Sequence, residues 1–483
     1  MQNRCHQIIT TIVFAFSMTP ASLKAQTDFS IENIKQIELP VVNISTVDNE
    51  EPTCEYVTHP EGSFGEGITN ANKVPCRIVI TKGEDTLYDS GEYEKNERGA
   101  TIKINGNTSA YKDNKPYKIK LQTKEDLLFR GDKKYKDKEW RLLKDINTLN
   151  TITGLKLNEL IGLPWTPAYC PCNVFINNDY RGCYLLIESV KRNADCRLNV
   201  DKDTGFIVER DAYWWNENTF FETDYFSPYN YYRYTWKYPD EEDVTEQQVN
   251  DAQDYINKAE KAILEGNYEQ YIDVHSFATW ILAHDMLGTW DSGGSNLYVM
   301  RYDNTDSSLL QMANLWDFDT CFRMETGSFS RIHTGIVDFY YYNLFNNTNK
   351  SFMKAYKQKW NEIKNNIPQQ IIQYIQAFAE SEEGRALQVS REYHSKRWNN
   401  EMTSVDEDAN NLTRWFETHI PLLDATISNL GDETSIMPPY LYRQWPAIYD
   451  IQGHKMKALK KGINIVNGKK IIVNPSSSHP NDK

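Results

Sequence analysis

The sequence predicts an α+β fold, with strands in the front half and helices in the back half. Runs of β-branched residues (VVNIST, CRIVITK, ATIKING) recur between positions 36 and 120. They are separated by turn clusters such as His59-Pro60-Glu61-Gly62, the pattern of short strands. From Val244 onward the periodicity changes: Val249, Ala252, Ile256, Ala259 and Ile263 recur at steps of three and four, the spacing of one helix face. No repeat with a period of 20 to 50 residues is visible, which sets aside solenoids and propellers.

The elements follow in order. Arg4, the apolar stretch Ile8 to Phe16 and the small residue Ala25 form an export signal over residues 1–25, with cleavage near Ala25. Cys5 precedes the apolar stretch, so it is not the lipid-bearing cysteine of a lipoprotein. Residues 26–190 read as a strand-rich lobe. Within it, Ile152 to Ile161 is helical and closes at Gly162 before Pro164. CNVFINNDYRGCYLLIESV forms a hairpin around Asn177-Asn178-Asp179. Residues 191–432 read as a helix-rich lobe. A second helix runs from Asp273 to Leu287, a two-stranded insertion (NLYVMRYD, LLQMANLWDFD) follows, and helices return between Lys350 and Leu430. Residues 433–474 form a β tail with a hairpin around Asn467-Gly468, and 475–483 a disordered end.

Lys and Arg number 53 against 67 Asp and Glu, a formal net charge of -14. That balance argues against nucleic acid as a partner. Beyond the N-terminus no apolar run approaches the roughly 18 residues of a membrane span. Aromatic residues make up 13% of the chain, enough for a large core or for broad grooves. Neither a G-x-S-x-G nor an H-E-x-x-H motif occurs. Cys54 and Cys76 flank a loop suited to a disulfide in an oxidising compartment. Cys170-Pro171-Cys172 has too short a spacer, and no neighbouring His, for a zinc site.

The sharpest chemical pattern is Asp291, then Asn296 five residues later, then Asp317 and Asp319 after a short hairpin. Phosphoryl transfer needs this division of labour. One carboxylate receives the acceptor's proton, while amide and carboxylate oxygens hold a hard divalent cation against the phosphates. Upstream, the turn Gly106, Asn107, Thr108, Ser109 follows one strand, and Lys118 and Lys120 share a face of the next. Small turn residues bring backbone N–H groups to a phosphate, and a strand lysine neutralises it.

These segments, in order with EWRLLKD, VFINNDYRGCYLLIESV and YIDVHSFATWILAHDMLGTWD, resemble the CotH kinase family of secreted atypical protein kinases. The resemblance runs from about Leu39 to Leu430. It implies a bilobal, protein-kinase-like fold and transfer of phosphate from ATP to Ser or Thr of exported or cell-surface proteins, with Mg or Mn. By position, Lys120 resembles the nucleotide-binding lysine, with Lys118 as its rival. Asp291 resembles the catalytic Asp, Asn296 and Asp317 metal ligands, and Asp319 a helper. Glu188 matches a family Glu, open between nucleotide contact and salt bridge. Two departures stand out: Asn105 replaces a turn Arg, and Thr151-Ile152-Thr153-Gly154 lacks the Arg of Leu-Arg-Asn. They leave a pseudokinase open. The aromatic run Tyr213 to Tyr238 leaves open a carbohydrate- or peptide-binding protein. The tail, with Tyr449-Asp450 and Lys461-Gly462 ahead of Gly468-Lys469-Lys470, resembles C-terminal sorting modules of secreted Bacteroidetes proteins.

Overall fold

The computed structural model describes residues 29–430 apart from 62, 64, 70, 145, 147, 226–231, 290, 293–295 and 324–338, together with four short strands between 448 and 473. The export signal, the Gly-Ser stretch between Asp291 and Asn296, and the residues after Val473 lie outside that description.

The strands are β1 (Val41–Thr46), β2 (Glu55–Thr58), β3 (Glu66–Thr69), β4 (Val74–Lys82), β5 (Asp85–Asp89), β6 (Ala100–Ile104), β7 (Tyr117–Glu125), β8 (Asp137–Leu143), β9 (Tyr169–Ile176) and β10 (Asp179–Glu188). Seven of them close into a barrel in the order β1-β9-β10-β8-β7-β6-β4, shut by pairing of β1 with β4. β5 extends from β4. The barrel interior takes alternate residues: Ile102 and Ile104 from β6, Ile119 and Leu121 from β7, Trp140 and Leu142 from β8. Because side chains alternate with a period of two, the intervening residues of these strands are forced outward. The hairpin between β9 and β10 turns on Asn177 and Asn178, both at positive φ (52° and 63°), as expected of a two-residue turn.

All seven described cysteines are free thiols, which corrects the expected Cys54–Cys76 disulfide. Cys76 points into the barrel core, where burial pushes its thiol up to about 12. It serves there as a small apolar side chain.

A second sheet follows, ordered β12-β13-β11-β14-β15: β11 (Phe206–Asp211), β12 (Phe220–Phe221), β13 (Arg233–Tyr238), β14 (Leu297–Arg301) and β15 (Leu310–Met312). Its three members before residue 240 were not expected in a helix-rich lobe, and β15 ends at Met312, well short of the run through Asp319. Within the aromatic run Phe221, Tyr234 and Trp236 are core residues. Trp214 packs its ring 4.6 Å from Phe220.

Helices complete the back half: Glu246–Glu265, Val274–Leu287, Phe339–Phe345, Ser351–Ile363, Ile367–Glu380, Glu382–Trp398 and Val405–Asn429. Thr245 and Gln248 cap the first reciprocally, and Gly266 ends it in the left-handed region. The helix Val274–Leu287 is buried from Phe277 to its last residue. Trp415 and His419 of the last helix bond its carbonyls at Met286 (3.2 Å) and Asp285 (2.6 Å). In the tail β16 (Ile448–Tyr449), β17 (Lys455–Met456), β18 (Gly462–Val466) and β19 (Lys469–Val473) form one sheet, with β18 and β19 antiparallel. No helix among the described residues is long and apolar enough to cross a membrane.

Candidate active site

A cleft of about 740 Å³ opens where the outer face of the barrel meets the second sheet. Its first wall is the outward-facing side of β6, β7 and β8. Register places Lys103 opposite Lys118, and Lys118 opposite Arg141. Directly opposed residues share a face, so three cations form a row, of which Lys103 and Arg141 line the cleft. The turn from β6 to β7 overhangs this row. Gly106 sits at φ 87°, and a Cβ there would fall 2.3 Å from Ser109 Oγ, so only glycine fits. Asn107 accepts a hydrogen bond from Asn216 across the cleft mouth (3.3 Å). Arg141 donates to Asn105 Oδ1 (3.3 Å) and faces the Trp316 ring at 5.6 Å. The position that lacks the expected turn Arg is thus met by an Arg from β8.

The second wall carries the carboxylates. The helix Val274–Leu287 ends at Gly288, at φ 64°, where a Cβ would meet Trp415 at 2.5 Å. The chain then turns into the cleft. Thr289 bonds Thr320 (2.8 Å), and Ser292 bonds Tyr341 (2.9 Å), so Asp291 lies between two anchored neighbours. Asn296 has φ 61° and Asp317 φ 62°. Such left-handed conformations are uncommon outside glycine and cluster at functional positions. Asn296 donates its backbone N–H to Glu209 Oε1 (3.2 Å) and its amide to the Asp291 carbonyl (3.4 Å). Loss of water in the cleft, then the charge of Asp319, pushes the Asp291 carboxyl up to about 6. Asp319 is also raised, chiefly by burial, with Arg323 opposing.

One helix fixes the segment bearing Asp317 and Asp319. Along Asn150–Ile161, residues 150, 154 and 158 share a face. Asn150 donates to the carbonyls of Phe318 (3.3 Å) and Cys321 (3.4 Å). Asn158 accepts from Leu315 N–H (2.8 Å). Between them, a Cβ on Gly154 would lie 2.1 Å from the Phe318 ring. The Thr-Ile-Thr-Gly departure therefore has a packing reason: Phe318 seats against the bare backbone.

Of the expected residues, Gly106, Asn107, Thr108, Ser109, Asp291, Asn296, Asp317 and Asp319 line this one cleft. Three do not. Lys118 and Lys120 line a neighbouring recess, held by Glu139 at 2.8 and 3.7 Å. Lys120 lies two residues beyond Lys118, roughly 7 Å farther from the turn. The cations that reach the cleft from the barrel side are Lys103, Arg141 and Lys144, and Lys237 and Arg323 line it as well. Glu188 is 1% exposed and bonds Arg130 (2.9 Å) and the Ala168 N–H (3.0 Å). It lines neither cavity and sits in the salt bridge that was its open alternative.

Sequence reading also passed over Glu209, Asp211 and Lys237, which line the second wall. Lys237 pairs with Glu209 at 2.8 Å. Burial lowers the Lys237 pKa, but Glu209, Glu217 and Asp211 outweigh it, so the ammonium is held charged. Burial and then Glu209 push the Asp211 carboxyl up. Three charged residues in a row, Glu209-Arg210-Asp211, directly after the apolar Phe206-Ile207-Val208 were the available signal.

Residues 102–419 match the model of the CotH kinase protein family. The chain belongs to that family. The match starts in β6 of the CotH kinase domain, ends in its last helix, and so spans both walls of the cleft. No curated protein matches the chain.

The acids also bear on metal binding. Among the described residues no three His, Cys, Asp or Glu side chains converge as a ready-made metal cage. Mg²⁺ uses one or two carboxylates and completes its shell with water and substrate phosphates. The oxygens of Asn296, Asp317 and Asp319, beside carboxyls whose ionisation is opposed, fit that mode.

Proposed function

We propose that the chain is an active, exported protein kinase with a bilobal, kinase-like architecture, transferring the γ-phosphoryl group of ATP to Ser or Thr hydroxyls of exported or cell-surface proteins. The observation that carries this is the opposition of charges across one cleft: Lys103, Arg141 and Lys144 on the barrel side, Asp291, Asp317 and Asp319 on the other. Transfer of a phosphoryl group is mostly positioning and charge stabilisation. The first wall supplies cations and the Gly106–Ser109 turn to the phosphates, and the Asn107–Asn216 bond spans the cleft mouth. Asn296 and Asp317, with Asp319 beside them, would hold Mg²⁺ or Mn²⁺, which when bound offsets charge between phosphate oxygens. Asp291 orients the acceptor hydroxyl and takes its proton as the phosphoryl group leaves. The N-terminal signal and the β tail belong to export and sorting in this reading.

A thermal-shift titration with ATP plus Mg²⁺ or Mn²⁺, followed by radiolabel transfer to secreted proteins, tests it. A metal-dependent rise in melting temperature and label on Ser or Thr are expected. Binding without transfer would leave a pseudokinase, and no nucleotide binding with either metal would overturn the kinase reading.

A further inference from the structure

Beside the cleft lies a recess of about 240 Å³ that shares with it Lys103, Asn105, Arg141, Glu217 and Lys237. Four lysines, Lys73, Lys118, Lys120 and Lys191, line the recess and not the cleft, and none of Asp291, Asp317 or Asp319 reaches it. Seven cationic side chains face five carboxylates there. Two of those cations are answered at the borders, Lys73 by Glu242 and Lys237 by Glu209. On the strand wall a single carboxylate, Glu139, 5% exposed, is shared by Lys118 (2.8 Å), Lys191 (2.9 Å) and Lys120 (3.7 Å). Asp240 takes a second bond from Lys191 (2.6 Å). Lys103 makes no ion pair or hydrogen bond among the described residues. Among the described residues Arg141 makes no ion pair: it donates to the neutral Asn105 and faces the Trp316 ring, and its Nε is buried without a partner.

Cations gathered out of bulk water without matching anions are costly. The same crowding shows in the lysines. Burial pushes Lys118 down to about 8 against the pull of Glu139, and burial also lowers Lys103 against the pull of Glu217, with Lys73 and Arg141 adding to the fall. An arriving anion removes that cost. Its class follows from the donors. Ammonium groups converging from several strands act as point charges around a tetrahedral oxyanion, whereas a planar carboxylate calls for a guanidinium fork.

We infer that this recess binds a phosphate dianion distinct from the donor nucleotide. Two sources share that chemistry: a phosphoserine or phosphothreonine side chain already present on an acceptor protein, and free inorganic phosphate. The first source rests on the transfer reading above; the second does not.

The test uses the full chain and calorimetry with three probes: inorganic phosphate, a neutral phosphoserine peptide, and its unphosphorylated counterpart, each with and without ADP. Phosphate or the phosphopeptide should bind with ADP present, and the unphosphorylated peptide should not. Phosphopeptide binding places the source on acceptors; phosphate binding alone places it in solution. Lys103→Ala combined with Lys120→Ala should weaken binding by about tenfold or more, since each charged hydrogen bond contributes that order. Lys120→Glu alone, at a side chain 45% exposed, reads the same contact should the double variant misfold. Displacement of the probe by ADP, equal binding of the unphosphorylated peptide, or affinity untouched by the variants would overturn the inference. Absence of any ADP signal would instead count against the kinase reading and leave the phosphate arms decisive.

Discussion

The barrel wall of the cleft takes Lys103 and Arg141 from strands, where burial of every second residue forces them outward in register with Lys118 between them. The opposite wall takes its carboxylates from loops just past a helix end and a strand, with Asn296 and Asp317 in the left-handed region. A strand wall cannot easily misplace its cations, because the same alternation builds the core. A loop wall must be held by specific bonds, and the Asn150–Ile161 helix supplies them through Asn150, Gly154 and Asn158. Binding chemistry thus sits on the rigid side, and the proton and metal chemistry on the side that depends on neighbours.

That contrast predicts different kinetic signatures for the two walls. Asp291→Ala should spare nucleotide binding and lower turnover by roughly 10²- to 10⁴-fold, the usual cost of a lost general base. Arg141→Ala should act mainly on binding, raising the KM for ATP by about tenfold to a hundredfold through one lost charged contact. Steady-state kinetics separates the two. A KM effect from Asp291→Ala with turnover intact would break the division between walls.

The support of the loop wall gives the next largest effect. Gly154→Val would place a Cβ about where the Phe318 ring now packs, 2.1 Å away. Overpacking of this kind costs about 1–3 kcal/mol. Displacement of Phe318 should also move Asp317 and Asp319, so transfer should fall further than stability. Denaturant melts and transfer assays on the same preparation check this. Unchanged activity in a destabilised variant would make Gly154 a packing residue alone.

The difference between the walls also governs what the sequence made legible. Strand runs, the Asn177-Asn178 hairpin and the capped helix Glu246–Glu265 carry local signals of period and turn chemistry, so they could be read directly. Asp291, Asn296, Asp317 and Asp319 were legible because their types and spacing are chemically unusual. Closure of the barrel by β1 on β4 pairs residues from Val41 with Thr81 to Thr46 with Cys76, too far apart along the chain to leave a local mark. Lys120 and Lys118 looked equivalent by period, and only the register with β6 and β8 showed that Lys103 and Arg141 reach the cleft. Arg141 was hidden in EWRLLKD because its role depends on a neighbour, Asn105, in another strand.

The smallest expected effect tests the joint between barrel and helices. His394, from the helix Glu382–Trp398, accepts the Cys183 N–H at 3.0 Å, and its other ring nitrogen faces the Asn114 amide at 3.3 Å. It packs where Gly182, at φ 104°, has no Cβ. Burial lowers its pKa to about 4, with Arg391 and Lys144 adding to the fall. The unfolded imidazole titrates near about 6.5, so the unfolded chain takes up this proton first as pH falls. Stability from the neutral ring is complete above about pH 6.5 and is lost as pH drops toward about 4. One proton corresponds to about 1.4 kcal/mol per pH unit inside that window. His394→Gln keeps an acceptor for Cys183 and removes the titration. Melting curves of the two proteins between pH 7 and pH 4.5 should therefore show a shallower acid slope for the variant. Carboxyls raised by burial, such as Asp408, act in the opposite sense but are common to both proteins and cancel in the difference. Equal slopes would mean that the ring takes up its proton in the folded joint as readily as in the unfolded chain, so that burial does not hold it neutral there.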